Sequence, residues 1–298
     1  DWYSGSLEKW ASRLYRTAFL KKRVSAKTIA QRASAWYDNQ DGPRFLWLHL
    51  MEPHLPYYPG LRKAREVGLL DAYQSVLDYQ RQGDEMAKEH AATQRALYDK
   101  CVELFDEHVP DLLDFVEDDA ITIAFGDHGE EFEHGHYDHE RLYDECVRVP
   151  LYYENLNEGA VSGTVRQLDL APALLHEVGL SIPDEWDGQR PKPISDHPAL
   201  VLTPQAGAGL VHAGIRTDSA KLIKSFDRES GELRRTEYYD LAKDPSEQRN
   251  LADEVAYDVL STRLGDFIVE HESALKMDAS TGLESTAVEA RLESLGYK

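Results

Sequence analysis

Ala120-Ile121-Thr122-Ile123-Ala124-Phe125-Gly126-Asp127-His128-Gly129 decides the fold. Six apolar or β-branched residues in a row, bounded by acids before and glycine after, read as a short strand buried on both faces. A second run of this kind, Phe45-Leu46-Trp47-Leu48-His49-Leu50-Met51, follows Gly42-Pro43 and is ended by Pro53, Pro56 and Pro59. Val147 to Tyr153 reads as a third strand. Helical spacing lies between and around them. Leu7, Trp10, Leu14 and Ala18 mark a helix in 6–38, with Ser25 capping a second segment through Trp36. Leu97, Cys101, Leu104 and Phe105 share one face between about residues 84 and 117, and Leu168 to Val178 ends at Gly179. Strands alternating with helices predict an α/β fold, a mostly parallel sheet flanked by helices.

From about residue 199 the pattern changes. Ala199 to Thr203, His212 to Arg216, Lys221 to Phe226 and Arg235 to Leu241 are short strands separated by turns, followed by helical spacing over 252–275. The expected organisation is a core over 1–198, an antiparallel sheet plus helix over 199–277, and a polar tail over 278–298.

The 298 residues are 42% hydrophobic and carry 54 Asp and Glu against 33 Lys and Arg, a formal net charge of -21. Such a surface repels nucleic-acid phosphates and anionic lipid heads, which excludes nucleic acid as the main partner. No apolar run approaches the roughly 20 residues that cross a bilayer, and mean hydropathy is -0.55. The acid excess fits either a surface adapted to molar salt or an ordinary acidic protein. Two cysteines, Cys101 and Cys146, lie far apart without CxxC spacing, so no zinc ribbon or disulfide scaffold is implied; both read as buried, inert thiols.

In an α/β sheet ligands bind beyond the carboxyl ends of the strands. Two histidine-bearing loops lie there. After the 120–125 strand, His128, His134, His136 and His139 crowd into one loop with Asp127, Glu130, Glu131, Glu133 and Asp138. Carboxylate oxygen and imidazole nitrogen at a rigid strand end suit a divalent cation. Asp127 and His128 are the natural ligand pair, with Gly126 and Gly129 allowing a tight turn. A solvated acidic loop with incidental histidines fits the same spacing. After the 45–51 run, His54 is held between Pro53 and Pro56, a rigid imidazole suited to an oxyanion contact. His49, inside the apolar run, reads as a hydrogen-bonded core residue.

Phe45 through Tyr57, with its Glu52-Pro53-His54-Leu55-Pro56-Tyr57 end, resembles the strand and PH-x-PY segment of the sulfatase family in the alkaline-phosphatase-like superfamily. Ile123 through Gly135 resembles that family's metal loop. His139, Leu142-Tyr143-Asp144-Glu145 and Arg148-Val149-Pro150-Leu151 follow at matching distances. Leu168-Asp169-Leu170-Ala171-Pro172 and Tyr239-Asp240-Leu241 through Asp244-Pro245-Ser246-Glu247 to Asn250-Leu251-Ala252 are similar to two further signatures of the family. The match runs in one order over about residues 40 to 260.

The resemblance implies a metal-dependent hydrolase of sulfate esters acting on a small-molecule or glycan ester. Asp127 and His128 would ligate a divalent cation, calcium first, with manganese, magnesium or zinc as alternatives. His54 and His139 would hold the sulfuryl oxygens and protonate the leaving alcohol, while His134 and Glu130 would orient the ligands. The family's nucleophile sits in a Cys/Ser-x-Pro-x-Arg segment after an Asp-Asp pair and is matured to formylglycine. No residues here match it: Asp118-Asp119 precede a strand instead of ending one, and Gly126 stands where Ser is common. The chain is therefore expected to begin at Asp1 in mid-protein, with nucleophile and formylglycine upstream, and to be catalytically incompetent alone. The acid excess points to a haloarchaeal source. Two other functions stay open: a phosphodiesterase or phosphoglycerol or phosphoethanolamine transferase on the same scaffold, which a Thr nucleophile would mark, and a non-catalytic binding subunit. Localisation is not assigned.

Overall fold

The computed structural model describes residues 14–21, 24–82, 91–135, 139–156, 162–190, 194–195, 197–205 and 208–271. The proposed tail, part of the expected first helix, and His136 and Asp138 lie outside them. The chain divides into two compact units, one of Asp1–Ala120 with Phe132–Asp138, the other of Ile121–Glu131 with His139–Lys298.

The first unit is helical: α1 (Ala26–Tyr37), α2 (Gly60–Val67), α3 (Leu69–Gln82), α4 (Ala91–Asp106) and α5 (Val109–Leu113). Ser25 caps α1 as expected, its side chain accepting from Thr28 N–H at 3.2 Å. Leu55, Tyr57, Tyr58, Ala64, Ala72, Val76, Leu97 and Cys101 form its core. Helices α2 and α3 went unread in the sequence, although Leu69, Ala72, Tyr73 and Val76 keep helical spacing. The 45–51 run corrects the expectation of a buried strand. It takes no strand assignment; Leu48 and Leu50 pack on Ala26, Ala30 and Leu112, while Phe45 and Trp47 point outward, 72% and 66% exposed. Burial alternates over residues 45–48, and residues 48–51 are all half-buried, so the run is not enclosed on both faces.

The second unit holds β1 (Thr122–Phe125), α6 (Asp144–Val147), β2 (Leu151–Glu154), β3 (Ser162–Gly163), α7 (Leu170–Glu177), β4 (Ile194–Ser195), β5 (Ala199–Gln205), β6 (Leu210–Arg216), β7 (Ala220–Asp227), β8 (Leu233–Asp240) and α8 (Asp258–Glu270). Among the described residues its pairing corrects the expected mostly parallel sheet. β1 and β2 run antiparallel, Thr122 opposite Glu154 and Phe125 opposite Leu151, and only the two-residue β3–β4 pair is parallel. A parallel return needs a crossover carrying a helix long enough to lie across the sheet. Among its described residues the segment between β1 and β2 holds one helix, the four-residue α6, and the chain turns back on itself. Pro150 delays the third strand to Leu151 because its ring nitrogen cannot donate, although its carbonyl still accepts from Gly126 N–H at 3.2 Å.

β5, β6, β7 and β8 form one antiparallel sheet in sequence order, as short strands separated by turns predict. Period-2 alternation gives it two different faces. One face carries Ala213, Ile215 and Leu222 against Leu264 and Phe267 of α8. The other carries Ile223, Tyr239 and Val201 against Leu142, Tyr143 and Val147, so the residues just after His139 lie on this sheet. Gly214 permits that seat, since a Cβ there would stand 2.8 Å from Leu142 Cδ1. No helix among the described residues is long and apolar enough to cross a membrane.

Candidate metal and sulfuryl site

In the second unit, β1 delivers Gly126-Asp127-His128-Gly129 at its end. Gln167 Nε2 fixes the first of these, donating to the carbonyls of Gly126 and Asp127 at 2.8 and 2.7 Å. Neither Gly126 nor Gly129 takes a left-handed φ, so the tight-turn reading of these glycines is corrected. Gly129 is demanded by close approach instead. Its N–H donates to Cys146 O at 2.7 Å, and a Cβ would lie 1.9 Å from Glu145 O.

The imidazoles of His128 and His139 stack, centroids 4.0 Å apart and planes 26° apart. His128 Nδ1 lies 2.8 Å from Gly129 O, so Nδ1–H donates there and Nε2 keeps its lone pair. His139 Nδ1 lies 3.0 Å from Oε1 of Glu130, a carboxylate only 4% exposed, which fixes the same tautomer. Asp127 Oδ1 accepts from His128 N–H at 3.0 Å and stands 3.9 Å from His128 Nε2. Two donors roughly 2.0 to 2.5 Å from one cation lie about 3 to 4 Å apart when adjacent, so this oxygen and this nitrogen fit a shared divalent ion.

Behind the loop, Glu131 is fully buried and paired with the Arg141 guanidinium. Burial and the neighbouring Glu131 push the Cys146 thiol well above its usual range, as expected of an inert cysteine. Asp144, which opens α6, accepts from Arg216 Nη2 at 2.8 Å and pairs with Lys221 Nζ at 2.5 Å. Lys221 also meets Glu247 at 2.6 Å and donates to Leu142 O at 3.0 Å. Burial would raise the Asp144 carboxyl, but Arg216 and Lys221 outweigh it and hold it down at about 2. Burial likewise raises Glu247, opposed by Lys221. The Asp244-Pro245-Ser246-Glu247 signature thus supplies the carboxylate of a buried ion network under α6. Asp169 of the second signature accepts from Arg166 and from Gln189 N–H at 2.9 Å, a structural role.

In the first unit, Pro53-His54-Leu55 follows Glu52, whose buried carboxylate accepts from Ala26 N–H at the start of α1. His54 Nδ1 lies 2.7 Å from Leu55 O, so this half-buried ring also keeps its Nε2 lone pair. His49 and His134 are half-buried in the same unit. Gln167, Arg141 and Lys221 carry no signal for this site in the sequence, since contacts such as Lys221 to Asp144 join distant positions. Glu131 stands among the loop acids and Glu247 in the Asp-Pro-x-Glu signature.

A sulfatase family profile matches residues 2–180. The chain is 27% identical over 175 residues to N-acetylglucosamine-6-O-sulfatase of Bacteroides thetaiotaomicron, covering 51% of this chain and 31% of that protein. The chain therefore spans about a third of the length of this curated relative. Among solved structures, one in complex with its substrate D-glucosamine-2-N,6-O-disulfate aligns at a TM-score of 0.56 and 19% identity, over 89% of this chain and 72% of the other. The yidJ protein of Bacteroides fragilis aligns at 0.65 and 18% identity, over 83% and 59%. At these identities both show the fold alone.

Proposed function

We propose, from the premise that this chain belongs to the sulfatase family, that its whole protein is a metal-dependent hydrolase of sulfate esters acting on a sulfated saccharide. The observation that carries this reading is the stacked His128–His139 pair, each ring tied through Nδ1 and each presenting Nε2, beside the Asp127 carboxylate. The relative is a 6-O-sulfatase of N-acetylglucosamine, and the substrate-bound neighbour holds a sulfated glucosamine, which supports a sulfated amino sugar.

Asp127 and His128 are the proposed ligands of a divalent cation, calcium first. Bound there, such an ion would neutralise the non-bridging oxygens of the ester. His139 is proposed to hold a sulfuryl oxygen through Nε2 and to carry the proton that reaches the leaving alcohol. The Glu130 carboxylate on Nδ1 stabilises the imidazolium formed when Nε2 is protonated. His54 is proposed in the same capacity, its ring oriented by Leu55 O. Glu130 is the proposed orienting residue, and His134 is proposed in the same role. The nucleophile, a formylglycine, is proposed to lie outside this sequence, since no Cys/Ser-x-Pro-x-Arg occurs in it.

The finer architecture is also proposed. The partition into 1–198, 199–277 and 278–298 rests on the four-stranded sheet starting at Ala199 and the family match ending at residue 180. A haloarchaeal, salt-adapted origin rests on the net charge of -21. It requires the chain to unfold more readily at low ionic strength than in molar KCl; equal stability in both refutes it. The activity itself is tested with the full-length product of the reading frame, assayed on N-acetylglucosamine-6-sulfate. Sulfate release that disappears in His139→Ala supports the assignment, and none by the wild type refutes it.

A further inference from the structure

Gln167 belongs to the second unit, and its side-chain amide ends on the backbone of the proposed cation loop. We infer that Gln167 is a positioning residue of that loop: by holding the Asp127–His128 peptide from another element, it aims the Asp127 carboxylate at the cation. This role presupposes the sulfatase reading only for the cation itself; the grip on the peptide stands on its own geometry.

Backbone pins the two ends of the loop. Gly126 N–H donates to Pro150 O at 3.2 Å, and Gly129 N–H to Cys146 O at 2.7 Å. Between those pins Gln167 Nε2 lies 2.8 Å from Gly126 O and 2.7 Å from Asp127 O. Carbonyl oxygens only accept, so Nε2 and not Oε1 faces them, one amide hydrogen to each. A trans peptide is planar, so the Asp127 carbonyl and the His128 N–H turn as one body, on opposite edges. Gln167 grips the carbonyl edge, and the N–H edge donates to Asp127 Oδ1 at 3.0 Å. Fixing one edge therefore fixes the donor that orients the ligand carboxylate. The Asp127 side chain is 60% exposed, so hydrogen bonds set its direction more than packing does.

Gln167 itself has a rigid seat. It opens a short 3-10 turn, Gln167–Asp169, that leads into α7. The buried Asp169 carboxylate accepts from Arg166 N–H at 3.1 Å, from the Arg166 guanidinium at 3.0 and 2.7 Å, and from Gln189 N–H at 2.9 Å. Gly188 closes the turn from another side: a Cβ there would stand 1.9 Å from Leu168 O, so only glycine lets the two backbones approach this closely. The residues on either side of Gln167 are thus clamped, while its own side chain reaches over the surface to Asp127. The Leu168-Asp169-Leu170-Ala171-Pro172 signature thereby acquires a task at the site. Its aspartate builds the seat from which Gln167 holds a peptide 40 residues earlier in the chain.

The test compares the full-length product with its Gln167→Met variant, which keeps the side-chain length and removes both donors without adding charge. Under chelator, hydrogen exchange at the His128 N–H, read with 15N-histidine labelling, should quicken about tenfold in the variant, the worth of roughly one hydrogen bond. Calcium affinity, measured by competition with a fluorescent chelator, should weaken about tenfold or more. Sulfate release should return toward the wild-type rate at saturating calcium, which a merely misfolded loop would not allow. Gln40→Met, an exposed amide in the first unit, should change none of these. Exchange at His128 that is unchanged in Gln167→Met overturns the inference, as does unchanged calcium affinity beside faster exchange, or turnover that saturating calcium does not restore. A wild type that binds neither calcium nor manganese defeats the cation reading alone, since exchange without cation still decides the grip on the peptide.

Discussion

Lys221→Met tests the buried ion network under α6. Lys221 is 2% exposed and touches two carboxylates, Asp144 at 2.5 Å and Glu247 at 2.6 Å, which are 14% and 1% exposed. With Arg216 the wild-type cluster holds two cations and two anions, so it is neutral. Methionine keeps the length and removes one cation. Asp144 retains Arg216, and the uncompensated charge falls on Glu247. Breaking a buried ion pair from one side costs about 3 to 5 kcal/mol, and that is the loss expected in urea unfolding at pH 8. The cost should also depend on pH. Glu247, its carboxyl already raised by burial, can escape by taking a proton. A carboxyl raised on folding makes the folded state bind protons more tightly, so stability falls as pH rises through its folded value. The variant should therefore recover part of its loss between pH 8 and pH 5. The double variant Lys221→Met/Glu247→Gln should recover more than half at either pH, because no buried charge is then left alone. A loss under about 1 kcal/mol, or one that is the same at pH 5 and pH 8, would refute the reasoning.

Asp144 has the opposite sign: held at about 2 against roughly 3.9 unfolded, it contributes about 2 to 3 kcal/mol that is present above pH 4 and lost as pH falls toward 2. Acid unfolding of Asp144→Asn should lack that component. Gly129→Ala forces the loop off Glu145 O; calorimetry should show about 1 to 3 kcal/mol of destabilisation, and an unchanged midpoint would remove the close-approach argument. Glu130→Gln should lower sulfate release by the full-length protein about 10- to 100-fold by loosening His139, while divalent-cation affinity, measured by competition with a fluorescent chelator, should stay unchanged.

The readable parts of the sequence were those written locally. Ser25 before a helical run, β-branched residues at Thr122 and Ile123, and period-2 alternation from Ala199 to Leu241 each produce their element through short-range chemistry. The direction of β2 was not local. It depends on how little helix lies between Phe125 and Leu151, a length that hydrophobic runs alone do not report. The Phe45–Met51 run misled for a related reason: apolar residues at every position but His49 hide which side chains are covered. At the site, Asp127, His128 and His139 were legible as chemistry-bearing types in one loop. The residues bracing that loop were not, because Lys221, Arg216 and Glu247 come from a sheet and turn far along the chain.

In the proposed mechanism Asp127 with His128 holds a divalent cation on which sulfate-ester cleavage depends. Sulfate release by the full-length product should therefore be measured with chelator, after calcium re-addition, and in Asp127→Ala. Loss under chelation, recovery with calcium, and a defect on the order of 100-fold or more in the variant are expected. Turnover that persists under chelation and in Asp127→Ala would contradict that mechanism.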